Sequence, residues 1–281
     1  MIIDGKAIAK KIENETKIEI EKLKQKNIIP KLAIVFVGDN KASKTYIKRK
    51  KQACERVGID FELYTFTNNI TEKDLIEKIK EIQKNKDVSG LVLQLPLDKK
   101  FNTPKIINTI NPEIDVDCLT DHHLGNIIMK TDYILPPTPE AVLVILKELK
   151  INLKENNIVI VGAGALVGKP LSVILLNKEA TITVCNIHTK NLKKKCKEAD
   201  VLISAVGKKD LIKKNMIKKN AIIIDTGICF ENKKMYGDVD FKKVNKKAKY
   251  ITPTPGGVGP ITVALLLKNT VTCCKKNKLI S

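Results

Sequence analysis

The chain has 281 residues, enough for two modest domains or one large one, and a hydrophobic content of 43% supplies real cores. No apolar run reaches the roughly 18 residues of a membrane span, so no membrane partner is expected. The formal charge of +20 suggests nucleic acid, but only Arg49 and Arg56 are arginines and the lysines are dispersed at helix-surface spacings, which argues against a nucleic-acid reader and for compositional bias, with attraction of anionic substrates to a basic surface as a secondary effect.

In chain order, Met1-Ile2-Ile3-Asp4-Gly5-Lys6 runs from a short apolar start straight into charge; it lacks a signal-peptide pattern, and a cytoplasmic protein is expected. Residues 31–37 (KLAIVFV) read as a buried strand ending at Gly38. A helix over 43–57 stops at Gly58, and 61–66 form a strand. Residues 71–83 form an amphipathic helix with Leu75, Ile76, Ile79 and Ile82 on one side and a box-like cap from Thr71 and Asp74. Another strand covers 90–95. This alternation predicts an α/β layer of largely parallel strands.

Pro136-Pro137-Thr138-Pro139 marks a boundary, and a helix over 140–149 leads into a second α/β unit. There a strand at 157–161 enters the turn Gly162-Ala163-Gly164-Ala165-Leu166-Val167-Gly168, followed by a helix over 170–176 and strands at 181–185, 201–206 and 221–225. Residues 252–262, rich in proline and glycine, form a rigid loop that lets a ligand approach the main chain, before an apolar helix-like run at 261–267. The seven cysteines have no C-x-x-C spacing and read as reduced thiols, with Cys185 filling the core. His122 and His123 are adjacent, so their side chains diverge, and a surface or loop position is expected; no metal site is predicted.

Four constellations carry possible chemistry. The strand–glycine turn–helix at Gly162 and Gly164 offers a tight turn, close backbone approach and a helix N-terminus to a pyrophosphate. The second strand ends in Cys185-Asn186-Ile187-His188, with neither the acid of an NAD site nor an arginine, which leaves Lys190 and His188 to meet a 2′-phosphate. Tyr46 and Lys50 share one helix face, where a partly desolvated lysine can carry protons; a solvated face like that of Lys48 and Lys51 is the alternative. Gln94 interrupts an apolar strand near its C-terminal end, where α/β proteins place ligands. Asp115 and Asp117 put two carboxylates on one side of an extended segment, suited to a metal or to a ring N–H and amino group.

Together, S-x-x-Y-x-x-x-K (Ser43, Tyr46, Lys50), LQLPL (93–97), D-V-D (115–117), P-x-T-P, G-x-x-x-x-V-G-K-P, A-V-G-K, G-D-V-D-F and P-G-G-V-G-P-x-T resemble the bifunctional methylenetetrahydrofolate dehydrogenase/methenyltetrahydrofolate cyclohydrolase family, from Asp4-Gly5 to Asn269-Thr270. The resemblance implies two α/β lobes with a cleft between them: a folate-binding catalytic lobe over 1–137, on which a C-terminal helix at 261–281 packs back, and a Rossmann-like lobe over 138–260. It implies Lys50 as proton carrier, Tyr46 stacking on or orienting folate, Gln94 bonding Lys50 and holding it near neutral, and Asp117 on the amino-pyrimidine edge. Leu97, Pro255, Gly256, Gly257 and Pro260 would shape the folate site. Gly162, Ala163, Gly164, Ile187, Lys190 and Ile228 would line the dinucleotide site.

The implied chemistry is NAD(P)-linked oxidation of 5,10-methylenetetrahydrofolate to the methenyl form, then hydrolysis to 10-formyltetrahydrofolate, by a homodimer. The chain departs from the family's Gly-Arg-Ser at Gly162-Ala163-Gly164 and from its Cys-His-Ser at Cys185-Asn186-Ile187. Both changes remove groups expected near the NADP 2′-phosphate, so NADP is the family expectation and NAD the alternative. The family's Lys-Asp-Val-Asp-Gly becomes Ile114-Asp115-Val116-Asp117-Cys118, followed by Leu119-Thr120 for Phe-His. A monofunctional NAD-linked dehydrogenase, or a cyclohydrolase with weakened dehydrogenase activity, are the nearest alternatives. A two-lobe dehydrogenase of shikimate type leaves PGGVGP and LQLPL unexplained.

Overall fold

The computed structural model describes residues 1–231 and 234–279, and their contacts form two units. One comprises Lys10–Asn126, Asp132–Pro137 and the chain from Val263 onward; the other comprises Met1–Ala9, Ile127–Thr131 and Thr138–Thr262. Each is α/β with a parallel sheet, as the alternation of patterns predicts.

The first unit takes most of α1 (Gly5–Lys24), then β1 (Lys31–Val37), α2 (Lys41–Val57), β2 (Asp60–Phe66), α3 (Glu72–Gln83), β3 (Val88–Leu93), α4 (Thr103–Ile107) and the start of α5 (Asp121–Met129). Its sheet has the order β2-β1-β3. The unbroken apolar run of β1 is explained by its two faces. Leu32, Ile34 and Phe36 join Ile20, Ile47, Leu266 and Val271 in one core, whereas Ala33, Val35 and Val37 join Leu75, Ile79 and Ile106 in another. Period-two alternation thus serves helices on both sides, the expected state of a buried parallel strand. Burying each large aliphatic side chain here contributes roughly 2 kcal/mol.

Local signals bound these helices, Gly58 and Thr71 as the sequence predicts and Asn40 as a cap that starts α2 at Lys41, two residues before the expected position. Asn40 caps α2 through its Oδ1, which accepts the Ser43 N–H at 3.0 Å, and Gly58 ends it in the left-handed region at φ 89°. Thr71 caps α3 by accepting from Asp74 N at 3.1 Å, and its hydroxyl donates to Asp74 Oδ2 at 2.7 Å. α1 is an element not anticipated above, although Ala9, Ile12, Thr16, Ile20 and Leu23, all buried, carry the helical spacing that would have found it.

The second unit holds most of α6 (Pro137–Glu148), then β4 (Asn157–Val161), α7 (Gly168–Asn177), β5 (Thr181–Cys185), α8 (Leu192–Glu198), β6 (Val201–Ser204), β7 (Ile222–Asp225), the hairpin β8 (Cys229–Glu231) and β9 (Lys234–Tyr236), α9 (Phe241–Val244), β10 (Tyr250–Ile251) and the first residues of α10 (Val258–Leu279). The sheet order is β10-β7-β6-β4-β5, all parallel. The N-terminal residues join its edge: Ile3 N–H donates to the Ile251 carbonyl at 2.9 Å, and Ile251 N–H to the Met1 carbonyl at 3.1 Å. Among the described residues, no helix is long and apolar enough to cross a membrane.

Several boundaries differ from the sequence pattern, among them that of β6, which ends at Ser204 and not at residue 206. β3 ends at Leu93, so Gln94 lies just beyond the strand. α6 begins at Pro137, because a proline suits a first helical turn whose N–H has no partner. α10 absorbs Gly259 and Pro260 into its first turn for the same reason.

Candidate active site

Lys50 sits on α2, half-buried, while Lys48 and Lys51 on the same helix are exposed. Its Nζ donates to Gln94 Oε1 at 3.2 Å. Gln94 is itself held at both ends: its backbone N–H donates to the Val35 carbonyl at 2.8 Å and its Nε2 to the Leu95 carbonyl at 2.9 Å. The carbonyl oxygen is therefore turned toward the lysine, and the bond orients the amine. Tyr46, one turn before Lys50, has Arg49 5.9 Å from its ring centre, and burial pushes its phenol up to about 12. Leu97 packs on the core that contains Leu93 and Phe101.

Asp117 joins this group electrostatically. Burial pushes its carboxyl above the usual carboxylate range, and the Lys50 charge pulls it back down. Three contacts fix the segment that carries it. Gly90 on β3 leaves room for Val116, whose Cγ1 would lie 2.8 Å from a Cβ there. Asn269 of α10 donates from Nδ2 to the Val116 carbonyl at 3.0 Å and to that of Leu135 at 2.9 Å. Cys118 takes a left-handed φ of 55°, the conformation that favours the glycine of the family pattern. Gly90 and Asn269 are supporting residues that no local motif reveals.

Two sequence expectations are corrected here. Asp115 is buried, and its Oδ2 accepts the N–H groups of Leu119 and Thr120, each at 2.9 Å; it shapes the turn and does not pair with Asp117 as a second ligand-facing carboxylate. His123 is fully buried within α5, not on the surface. Its Nε2 donates to the Pro112 carbonyl at 2.8 Å, and its Nδ1 has no hydrogen-bond partner among the described residues. No group of three or more His, Cys, Asp or Glu fit to hold a metal is found among the described residues.

In the second unit, the turn after β4 is closely packed against its neighbours. Gly162 has φ 114°, and a Cβ there would lie 2.3 Å from the Ala205 carbonyl oxygen. A Cβ at Gly168 would stand 1.9 Å from the Gly162 carbonyl oxygen. A Cβ at Gly164 would meet nothing within 4 Å, so the space beside it is open ahead of the α7 N-terminus. Ala163 is half-buried; Lys190 is exposed, Ile187 is 93% exposed and Ile228 is 36% exposed. The Asn186 side chain bonds the His188 N–H at 2.9 Å, shaping the loop that displays Ile187.

The loop at 252–260 belongs to this unit. Gly257 N–H donates to the Pro253 carbonyl at 2.8 Å, and Gly256 has φ 104°. Pro255 is exposed, Pro260 half-buried and Gly257 buried. Gly5 lets the N-terminal segment lie against the loop, since a Cβ there would be 1.8 Å from the Gly257 carbonyl oxygen.

Beneath these loops Asp225 is pushed up to about 7 by burial and by the Asp238 charge. A raised carboxyl pKa means that the folded state holds its proton more tightly, so this contribution is full below the unfolded value near 3.8 and is lost as pH rises to about 7. Relative to Asp225→Asn, the wild type is expected to lose roughly 2 kcal/mol of stability between about pH 5 and pH 7.5, read from urea midpoints. A constant difference across that range would refute the shift.

Known proteins resemble this chain in sequence and fold. Residues 3–117 match the tetrahydrofolate dehydrogenase/cyclohydrolase catalytic domain, and residues 136–278 match the NAD(P)-binding domain of the same family. The bifunctional protein FolD of Nautilia profundicola is 46% identical over 275 residues, covering 98% of this chain and 97% of that one. Among solved structures, the bifunctional FolD of Campylobacter jejuni superposes with a TM-score of 0.94 at 41% identity, covering 98% of this chain and 99% of that one. The Trypanosoma brucei enzyme, complexed with NADP cofactor and inhibitor, also gives 0.94, at 32% identity and coverage of 98% and 97%. The chain belongs to the tetrahydrofolate dehydrogenase/cyclohydrolase family.

Proposed function

We propose that Lys50, Tyr46, Gln94 and Asp117 carry the one-carbon chemistry of this bifunctional methylenetetrahydrofolate dehydrogenase/cyclohydrolase, and that the loops after β4, β5 and β7 bind its NAD(P). The observation that carries this reading is the 3.2 Å bond from Lys50 Nζ to a Gln94 amide pinned at both ends, on the one lysine of that helix stretch drawn out of solvent. Lys50 moves the proton when water adds to the methenyl carbon and the ring opens to 10-formyltetrahydrofolate. Gln94 orients Lys50, Tyr46 stacks on or orients the pterin, and Asp117 receives its amino-pyrimidine edge. When bound, the nicotinamide accepts the hydride that leaves the one-carbon bridge of 5,10-methylenetetrahydrofolate. The chain's contribution to that step is placement: Gly162, Ala163 and Gly164 seat the pyrophosphate at the α7 N-terminus, and Ile187, Lys190 and Ile228 border it. Leu97, Pro255, Gly256, Gly257 and Pro260 shape the folate side. In functional terms the folate lobe is 1–137 with the returning helix at 261–281, and the dinucleotide lobe is 138–260.

The test is turnover of 5,10-methylenetetrahydrofolate with NADP and, separately, with NAD, followed by decay of the methenyl product. Turnover with NADP is expected, with Lys190 supplying charge to the 2′-phosphate; turnover with NAD alone would assign the exposed Ile187 to NAD selection. Failure of both, with methenyl hydrolysis intact, would overturn the dinucleotide assignment.

A homodimer fits the second unit, where β5 is a sheet edge and Leu176, Val184 and Phe230 are exposed. Light scattering is expected to give twice the chain mass of 31.3 kDa, and a single-chain mass would refute it. The seven free thiols suit a reducing, cytoplasmic setting.

A further inference from the structure

Two aspartates of the second unit lie buried beneath the glycine turn, outside the machinery described above. Asp238 is fully buried, and both of its oxygens are engaged by one loop. Oδ2 accepts from the Ser204 hydroxyl at 2.7 Å and from the Val206 N–H at 2.8 Å; Oδ1 accepts from the Lys208 N–H at 2.7 Å. The segment so fastened follows β6 and contains Ala205, whose carbonyl oxygen occupies the space that a Cβ at Gly162 would need.

Asp225, at the end of β7, repeats the arrangement. Its Oδ1 accepts from Gly227 N–H at 3.0 Å and Asp238 N–H at 3.1 Å, and its Oδ2 from Val239 N–H at 2.9 Å. Gly227 and Gly237 are obligatory here, since a Cβ would stand 2.1 Å from Asp238 and 2.0 Å from Asp225 respectively. The result is a staple of two carboxylates across the segments that leave β6 and β7, with the β4 turn resting on the first of them. These are C-terminal strand ends of a parallel sheet, where such folds take their ligands. Burying two neighbouring carboxylates is costly, and apolar side chains would fill the same space; backbone N–H groups that must be held at a set angle require acceptors.

We propose that Asp238 is a positioning residue for the dinucleotide: by holding the Val206 and Lys208 N–H groups, it seats Ala205 against Gly162 and so preforms the turn that receives the pyrophosphate. This rests on the reading of the 162–168 turn as the dinucleotide site. The experiment compares wild type, Asp238→Asn and Ser204→Ala for NADP and NAD affinity, for dehydrogenase KM and kcat, and for methenyl hydrolysis. An asparagine turns an amide NH2 toward one of the two N–H groups, so that variant is expected to raise the dinucleotide KM at least tenfold while hydrolysis stays within twofold. Ser204→Ala keeps both backbone bonds and is expected to change the dinucleotide KM less than threefold.

A folded Asp238→Asn protein with unchanged dinucleotide KM, or an equal loss in both activities, would overturn the proposal. Failure of the wild type to bind either dinucleotide would overturn the site assignment itself, which separates the two failures. Should the asparagine variant not fold, amide exchange of the wild type decides: Val206 and Lys208 N–H groups protected before dinucleotide is added support a preformed turn, and rapid exchange there refutes it.

Discussion

Lys50→Met is expected to lower methenyltetrahydrofolate hydrolysis by about 10²- to 10⁴-fold, the range for removal of a positioned proton carrier, while hydride transfer to NAD(P) persists. The methionine keeps the length and apolar stem of lysine, so α2 and its contacts with the first core remain. What is lost is the Nζ that bonds Gln94 Oε1. Hydride transfer needs no proton carrier, only the alignment of two bound ligands. Parallel assays of methenyl decay and of reduced nicotinamide on one preparation check this, and normal hydrolysis would remove Lys50 from the mechanism. Asp117→Ala serves as the contrast: an anchor for the pterin edge contributes to both reactions, so its loss should raise the folate KM in both assays together.

Gly162→Val is expected to produce the reverse separation, abolishing measurable dinucleotide binding while hydrolysis survives. Two costs combine at this position. A β-branched residue is strained at φ 114°, and its Cβ would lie 2.3 Å from the Ala205 carbonyl oxygen. The turn must then leave its place or push the 205–208 segment away, and either movement disturbs the backbone proposed to receive the pyrophosphate. Titration with NADP and NAD, followed by the methenyl assay, measures the effect. Wild-type affinity in the variant would show that the turn does not contact the dinucleotide. Together, Lys50→Met and Gly162→Val test whether the two activities separate by unit.

The order of strands and helices was legible in the sequence because each depends on neighbours within a few positions. β1 reads as a doubly buried strand from KLAIVFV, and Gly58 ends α2 where only a left-handed residue serves. The glycine turn between β4 and α7 is visible for the same reason, as a local pattern between two strong elements. The adjacency of Tyr46 and Lys50 follows from helical geometry alone.

Other features depend on residues distant in sequence. Lys50 meets Gln94 across 44 positions, and Asn269 reaches Val116 across 153, so the register of β1 with β3 and the return of α10 decide them. His123 and Asp115 look like solvent-facing polar residues in a one-dimensional pattern; only packing shows that each serves a backbone group, the Pro112 carbonyl for one and the turn amides for the other. Asp238 sits in the G-D-V-D-F motif, but nothing local says that its carboxylate holds the loop beneath Gly162. Sequence determined the elements, their order and the family, because hydrophobic period and turn chemistry are short-range. Tertiary structure decided which polar side chains are consumed by the scaffold and which remain for the ligands, because a buried hydrogen bond is set by where distant strands and loops meet.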